Sequence, residues 1–190
     1  MQNEIRSMIQ DNINTDRLIY DKLAPKIEEA TKLILDILNK NKKIFIAGNG
    51  GSCSQASHIA AEFVGRYKIE RKGLPCIALN ADASILTALS NDYSFDDVFA
   101  RQLEALANPG DIFIALSTSG NSNNLIMAVE KAKQLNVNTI QLLGKDGGRL
   151  KNMADIEIIV PSNNTPRIQE IHLMILHIIC ELIDKELFGN

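Results

Sequence analysis

The stretch Ile112-Phe113-Ile114-Ala115-Leu116-Ser117-Thr118-Ser119-Gly120-Asn121-Ser122 runs an apolar segment into a hydroxyl-rich turn, and a helix-like pattern follows from Asn123 to Gln134. A buried strand that ends in such a turn and opens a helix aims hydroxyls and free backbone N–H groups at one spot, which suits a phosphate. The first turn of that helix carries no Asp or Glu, although the helix dipole favours acids there. The position is left open for a ligand's charge. Ser, Thr and Asn are also ordinary capping residues, so this turn alone does not separate a cradle from a cap.

The same device occurs a second time. Lys43-Ile44-Phe45-Ile46-Ala47 is a short apolar strand, followed by Gly48-Asn49-Gly50-Gly51-Ser52 and a helix-like run through Phe63. Glycines let a backbone approach a ligand closely. A dinucleotide fingerprint fails, because Cys53 stands where the third glycine belongs and no acid closes the next strand, which ends Ala78-Leu79-Asn80. A P-loop fails for want of a Lys-Ser/Thr pair. What remains is a two-loop site for a phosphorylated small molecule.

Strand-like runs at 44–47, 74–79, 112–116, 138–143 and 156–160 alternate with helical patterns. Their nearly continuous apolar character is that of a parallel sheet covered on both faces. The expected fold is α/β, a five-stranded parallel sheet sandwiched by helices, and no linker divides it, so residues 1–190 form one domain. In open parallel sheets ligands collect at the carboxyl ends of the strands, where both loops lie. Two helices, about 3–20 and 25–40, precede the sheet domain of 43–190. Ile5, Met8, Ile9, Ile13, Leu18 and Ile19 give the first an apolar stripe that wants a partner, from its own domain or another subunit.

Composition excludes several classes. The chain has 190 residues, 45% apolar and 23% charged, with a net charge of −3, enough to bury a real core. Basic residues are scattered, and Arg66, Lys68, Arg71 and Lys72 are interrupted by Glu70 and read as a solvated loop, so nucleic acid is not expected as a partner. No secretory leader and no membrane-length apolar run is visible, which points to the cytoplasm. Cys53, Cys76 and Cys180 are far apart and odd in number, so reduced structural thiols are expected.

Candidates for chemistry interrupt two apolar helices. His58 and Glu62 are four apart, share a helix face and can address one metal or one substrate, or form a surface pair. Their apolar neighbours Ile59, Ala60, Ala61, Phe63 and Val64 leave little solvent-facing surface. From Ile168 to Cys180 apolar residues occupy almost every side, the mark of a helix buried all round, and His177 is the sole strongly polar side chain between Leu173 and Ile179. It needs a hydrogen bond, a metal or a substrate. Gln169 lies about 80° around the helix from it, close enough for a shared cavity. His172 is the weaker candidate.

Together the loop AGNGGS at 47–52, the His58/Glu62 pair, Asn91-Asp92, STSGNS at 117–122, GKDGG at 144–148 and the Arg167-Ile168-Gln169-Glu170 run with His172 and His177 resemble the phosphoheptose isomerases of the sugar isomerase (SIS) domain family. The resemblance covers essentially the whole chain. It implies conversion of sedoheptulose 7-phosphate to D-glycero-D-manno-heptose 7-phosphate, the first step towards the ADP-heptose of the lipopolysaccharide core. It also implies a homotetramer with active sites shared between subunits, and one zinc ion per subunit.

By the same resemblance, Asn49, Gly50, Gly51, Asn91 and Asp92 contact substrate, and Ser117, Thr118, Ser119 and Ser122 hold the phosphate. His58, Glu62, Gln169 and His177 become zinc ligands, with Glu62 and His177 also the acid/base pair and Glu62 and Gln169 touching substrate. One departure is Pro166, where some members carry an Asp, which argues against a polar substrate contact there. Moving a carbonyl between adjacent carbons through an enediol needs one positioned base and one acid. A Glu that ligates zinc has its basic lone pairs engaged, so ligation and proton abstraction belong to different conformations or different oxygens. Two rivals share the fold: a non-enzymatic SIS protein that binds a replication initiator, and an isomerase of another phosphorylated sugar such as arabinose 5-phosphate. The first lacks the Glu and the last His present here; the second usually adds regulatory domains.

Overall fold

A computed structural model describes residues 1–189, apart from the side chain of Asp21; Asn190, the last residue of the expected domain, lies outside the described residues. Five parallel strands, β1 (Ile44–Gly48), β2 (Cys76–Ala78), β3 (Ile112–Ser117), β4 (Asn138–Gly144) and β5 (Ile156–Val160), form one sheet in the order β2-β1-β3-β4-β5. Every residue of β1 and β3 is buried, which explains their unbroken apolar runs.

Before the sheet come α1 (Gln2–Lys22) and α2 (Ala24–Asn39); α3 (Gly51–Val64) follows β1, and α4 (Ala83–Asp92) and α5 (Val98–Leu106) fill the passage from β2 to β3. Then α6 (Asn123–Gln134) joins β3 to β4, and α7 (Thr165–Phe188) ends the chain. Ile44 and Ile46 of β1 turn towards α2, α3 and α7, among Ile34, Ile59, Phe63 and Ile175, while Phe45 and Ala47 turn towards α5 and α6, among Phe99, Leu103, Leu125 and Val129. The period of two in the strands thus feeds two cores, one on each face.

Three details differ from the sequence reading. The strand expected over 74–79 pairs only over 76–78: Pro75 has no N–H to give, Leu74 N bonds Phe63 O, and a turn begins at Leu79. The last helix is not buried all round. Ile168, Ile171, His172, Ile175, Ile179 and Ile183 form its buried stripe, whereas Met174, Ile178 and Leu182 line a groove towards α1. On α3, His58 keeps 45% side-chain exposure and Val64 is exposed, so that helix leaves more open surface than its apolar neighbours suggested. Among the described residues no helix is long and apolar enough to cross a membrane.

Candidate active site

The chain passes from β1 outward to β2 and returns through β3 on the other side of β1, so the sheet order reverses between β1 and β3. Gly48 pairs with Leu116 at this point, and the loops after both strands leave the same edge side by side. Their helices depart to opposite faces, α3 to one core and α6 to the other. A crevice at the carboxyl end of the strands is the geometric result.

The loop after β3 is prebuilt. Gly120 N donates to Ser117 Oγ at 3.0 Å and Asn121 N to Ser119 Oγ at 3.2 Å. Gly120 has φ +66, and a side chain there would strike the carbonyl of Gly147, so the GKDGG turn is seated directly on the loop. Only glycine meets both demands. Ser122 is the N-cap residue of α6 but makes no side-chain cap, and no acid occupies the first turn, so the dipole end of α6 faces the crevice uncovered. Thr118, Ser119 and Ser122 are half-buried around it and Ser117 is buried. Pattern reasoning missed one basic neighbour: Arg149 of the GKDGG turn region donates to Asn121 O at 3.0 Å and to Asn123 Oδ1.

The glycine loop is fastened to this cradle by Asn49, whose Nδ2 donates to Asn124 Oδ1 at 2.9 Å while Asn124 Nδ2 donates to Asn49 Oδ1 at 3.1 Å. Gly50 and Gly51 are exposed, and any side chain on Gly51 would occupy the place of the Gln169 amide. Gln55 Nε2 holds the carbonyl of Gln169 at 2.6 Å. Gln169 therefore belongs to the glycine-loop end of the crevice.

His177 stands further along α7, and eight residues of helix rise separate it from Gln169 by about 12 Å. Its Nε2 shares a hydrogen bond with His58 Nε2 at 3.0 Å, and the two rings meet edge to face. Glu62 Oε1 lies 3.6 Å from the other nitrogen of His58, an ion-pair separation. Tyr67 stacks on His177, the ring centroids 5.6 Å apart. Desolvation and the neighbouring His58 hold the His177 imidazole below its ordinary pKa, while Glu62 pulls the other way. A neutral ring at neutral pH is ready to accept a proton. The other helix histidine, His172, is a core residue: it is fully buried and its Nε2 donates to Leu143 O at 3.0 Å, while its Nδ1 is buried without a partner.

The structure thus gathers His58, Glu62 and His177, and sets Gln169 apart from them beside Gly51. Two imidazoles and a carboxylate are donor types that zinc takes. Glu62 faces Nδ1 of His58 while His177 faces Nε2, so one ion shared by all three requires a side-chain turn, for which His58 has the exposure. Among the described residues no three His, Cys, Asp or Glu side chains already stand in ligand geometry. Asn91 and Asp92 are exposed at the end of α4, where Asn91 Nδ2 donates to Asp92 Oδ1 at 2.9 Å. Buried Cys180, near Glu62 and Asp184, has its thiol pushed up to about 12 and is unreactive, and all three cysteines are free.

Comparison with known proteins identifies the family and matches the fold. The SIS domain family model matches residues 11–144. The chain is 49% identical to a phosphoheptose isomerase of Geotalea daltonii over 190 residues, all of this chain and 99% of the relative. It is 51% identical to one from Leptospira biflexa over 187 residues, 97% of this chain and 96% of the relative. Solved phosphoheptose isomerases from Francisella tularensis and Neisseria gonorrhoeae superpose with TM-scores of 0.94 and 0.91, at 38% and 37% identity, each covering 97% of this chain and 98% of the other. Full-length similarity at this level, on a five-stranded parallel sheet flanked by helices, makes the chain an isomerase of the phosphoheptose isomerase family, within the SIS domain fold.

Proposed function

We propose that the chain interconverts sedoheptulose 7-phosphate and D-glycero-D-manno-heptose 7-phosphate through an enediol, the entry to ADP-heptose for the lipopolysaccharide core. The observation that carries this reading is the meeting of Glu62 and His177 around His58, 3.6 Å and 3.0 Å away, on the helix that starts from the glycine loop, in a chain that also leaves the α6 N-terminus uncapped by side chains. The α6 N–H groups and the hydroxyls of Ser117, Thr118, Ser119 and Ser122 take the phosphate. Asn49, Gly50, Gly51, Gln169, Asn91 and Asp92 are assigned to the sugar chain. Glu62 removes the proton alpha to the carbonyl, and His177 serves the sugar oxygens, donating and accepting as the enediol forms and collapses.

Zinc fits this reading through His58, Glu62, Gln169 and His177, one ion per subunit. Bound there, it would polarise the carbonyl or stabilise an enediolate. Gln169 stands beside Gly51 rather than with the histidines, so its part in such a set requires either movement along the crevice or a neighbouring subunit. A homotetramer is the assembly proposed. Ile5, Met8, Ile9 and Ile13 of α1 lie 39–62% exposed, and a groove of about 630 Å³ between α1, α2 and α7 is lined by Ile13, Ile19, Tyr20, Met174 and Ile178. An apolar stripe of this extent is stable in water when a second copy covers it. A cytoplasmic site of action follows from the substrate, since a sugar phosphate carries charge that holds it within the compartment where it is made.

The test is incubation of purified protein with sedoheptulose 7-phosphate, with product followed by NMR. Formation of the aldose phosphate supports the reading. Turnover of another ketose phosphate with no action on the heptulose would replace it.

A further inference from the structure

The loop from Gly65 to Lys72 contains the basic cluster expected to be solvated, and one of its members is not. The Arg71 side chain is 2% exposed and its partner Asp184 1%, with Nε to Oδ1 at 2.6 Å. The same guanidinium donates through Nη2 to Glu62 O at 2.9 Å and through Nη1 to Phe63 O at 2.9 Å and Lys72 O at 3.1 Å. The second oxygen of Asp184 accepts from Lys68 N at 3.1 Å and Ile69 N at 3.4 Å. One buried ion pair therefore ties the end of α3, the loop and α7 together.

The position of each link matters. The last carbonyls of a helix have no partner within it and attract a cation, so Arg71 completes α3 at the very residue expected to act as base. Asp184 lies two turns beyond His177 on α7. Between them, Tyr67 directly precedes the two backbone N–H groups that Asp184 holds, and its ring lies on His177 at an interplanar angle of 20°. The forked guanidinium reaches several carbonyls at once, which a lysine cannot do.

We propose that Arg71 and Asp184 form a positioning latch for the acid/base pair: the latch fixes Glu62 through its backbone carbonyl and His177 through the Tyr67 ring. The inference rests on the reading of Glu62 and His177 as acid and base. Neither latch residue touches substrate; both act through other residues.

The experiment uses the full chain carrying Arg71→Lys, which keeps the charge but not the fork. The expected result is a folded protein whose kcat for sedoheptulose 7-phosphate falls on the order of 10- to 100-fold, because small misplacements of catalytic groups cost that much. KM should change less than about twofold, since the phosphate cradle beyond β3 is untouched and uniform binding is retained. With only three histidines, His58, His172 and His177, labelled imidazole NMR reads the positioning directly. The His177 ring protons should lose the ring-current shift from Tyr67 while those of His172 stay in place. If Arg71→Lys does not fold, Asp184→Asn, which retains an acceptor oxygen for the loop N–H groups, and Tyr67→Leu, which leaves the pair intact, should move the same signals. Variants with a lowered melting temperature but unchanged kcat and unchanged His177 signals would overturn the proposal and leave the pair a structural one. If the wild type does not turn over the heptulose, the substrate reading fails, and the imidazole signals still decide the latch.

Discussion

The side chains of Asn49 and Asn124 face one another as a reciprocal amide pair, each donating to the other's oxygen at 2.9 and 3.1 Å, and so join the loop after β1 to the first turn of α6. The residues are 75 positions apart in sequence. Asn124 is 2% exposed, so water cannot replace the bonds if one partner goes. The pair makes a single rigid rim of two loops that leave neighbouring strands towards opposite faces.

Asn124→Ala should therefore cost more than an ordinary surface change. Two hydrogen bonds and a buried amide give an expected loss of about 1–3 kcal/mol in urea unfolding. The loosened rim should also raise KM for the sugar phosphate more than it lowers kcat. A variant with wild-type stability and wild-type KM would refute the role of the pair as the brace of the rim.

The cradle predicts a second outcome. Thr118→Val removes a hydroxyl from the edge of the α6 N-terminus without changing side-chain shape. Hydrogen bonds to charged groups contribute about 1.5–3 kcal/mol, so KM should rise roughly 10- to 100-fold. Steady-state kinetics, or competition by inorganic phosphate, measures it. Unchanged affinity would mean that the phosphate lies elsewhere.

Much of this was legible because the relevant signals are local. β1 and β3 are unbroken apolar runs, and α6 spans Asn123–Gln134 as its pattern predicted, because strand burial and helical periodicity are written in consecutive residues. The hydroxyl turn and the glycine loop were visible for the same reason. The contacts that arrange them were not: Asn49 with Asn124, Arg71 with Asp184 and Gly51 with Gln169 join residues far apart in sequence. Choosing between His172 and His177 was harder than their setting suggested. Five residues turn a helix by about 140°, so one ring enters the core and the other meets His58 and Tyr67, while both sit in the same apolar run. Composition cannot say which face the fold will cover.

His172 gives a pH prediction. Burial lowers its pKa from 6.5 to about 4, although the bond to Leu143 O opposes the shift. The unfolded chain takes up a proton at this ring as pH falls through about 6.5, whereas the folded chain does so only near 4. Stability is therefore complete above about 6.5 and is lost as pH falls towards 4, by about 3 kcal/mol over the full window. Chemical denaturation between pH 7.5 and 4.5 should display this slope. His172→Gln, which can still donate to Leu143 O, should flatten it; an unchanged slope in the variant would assign the effect to other groups.

Metal removal supplies a fourth expectation. Protein reconstituted with zinc should hold one equivalent per subunit by elemental analysis, and His58→Ala or His177→Ala should abolish that retention. Chelator-treated protein should lose most turnover and regain it on zinc addition. Full activity with no divalent metal present would confine zinc to an incidental role, leaving Glu62, beside His58 at an ion-pair separation, and His177, hydrogen-bonded to it, to work as they now stand.

The proton path is the most direct test of the chemistry. Glu62→Gln keeps size and removes the base, and general acid/base groups contribute about 10²- to 10⁴-fold, so kcat should fall by that order with KM much less affected. Glu62 is also a zinc candidate, and zinc content must therefore be measured on the same sample; a drop in kcat at unchanged zinc isolates the base. In wild-type protein in D₂O, abstraction by Glu62 and return of a proton from a solvent-exchanging carboxyl should leave deuterium at the carbon that becomes C2 of the aldose. Glu62 is 22% exposed, which gives its carboxyl a route to exchange with solvent. Product that carries only the substrate's own hydrogen would point to a direct hydride shift between the two carbons. Normal turnover by Glu62→Gln would leave the enediol without this base and move the assignment to another group in the crevice.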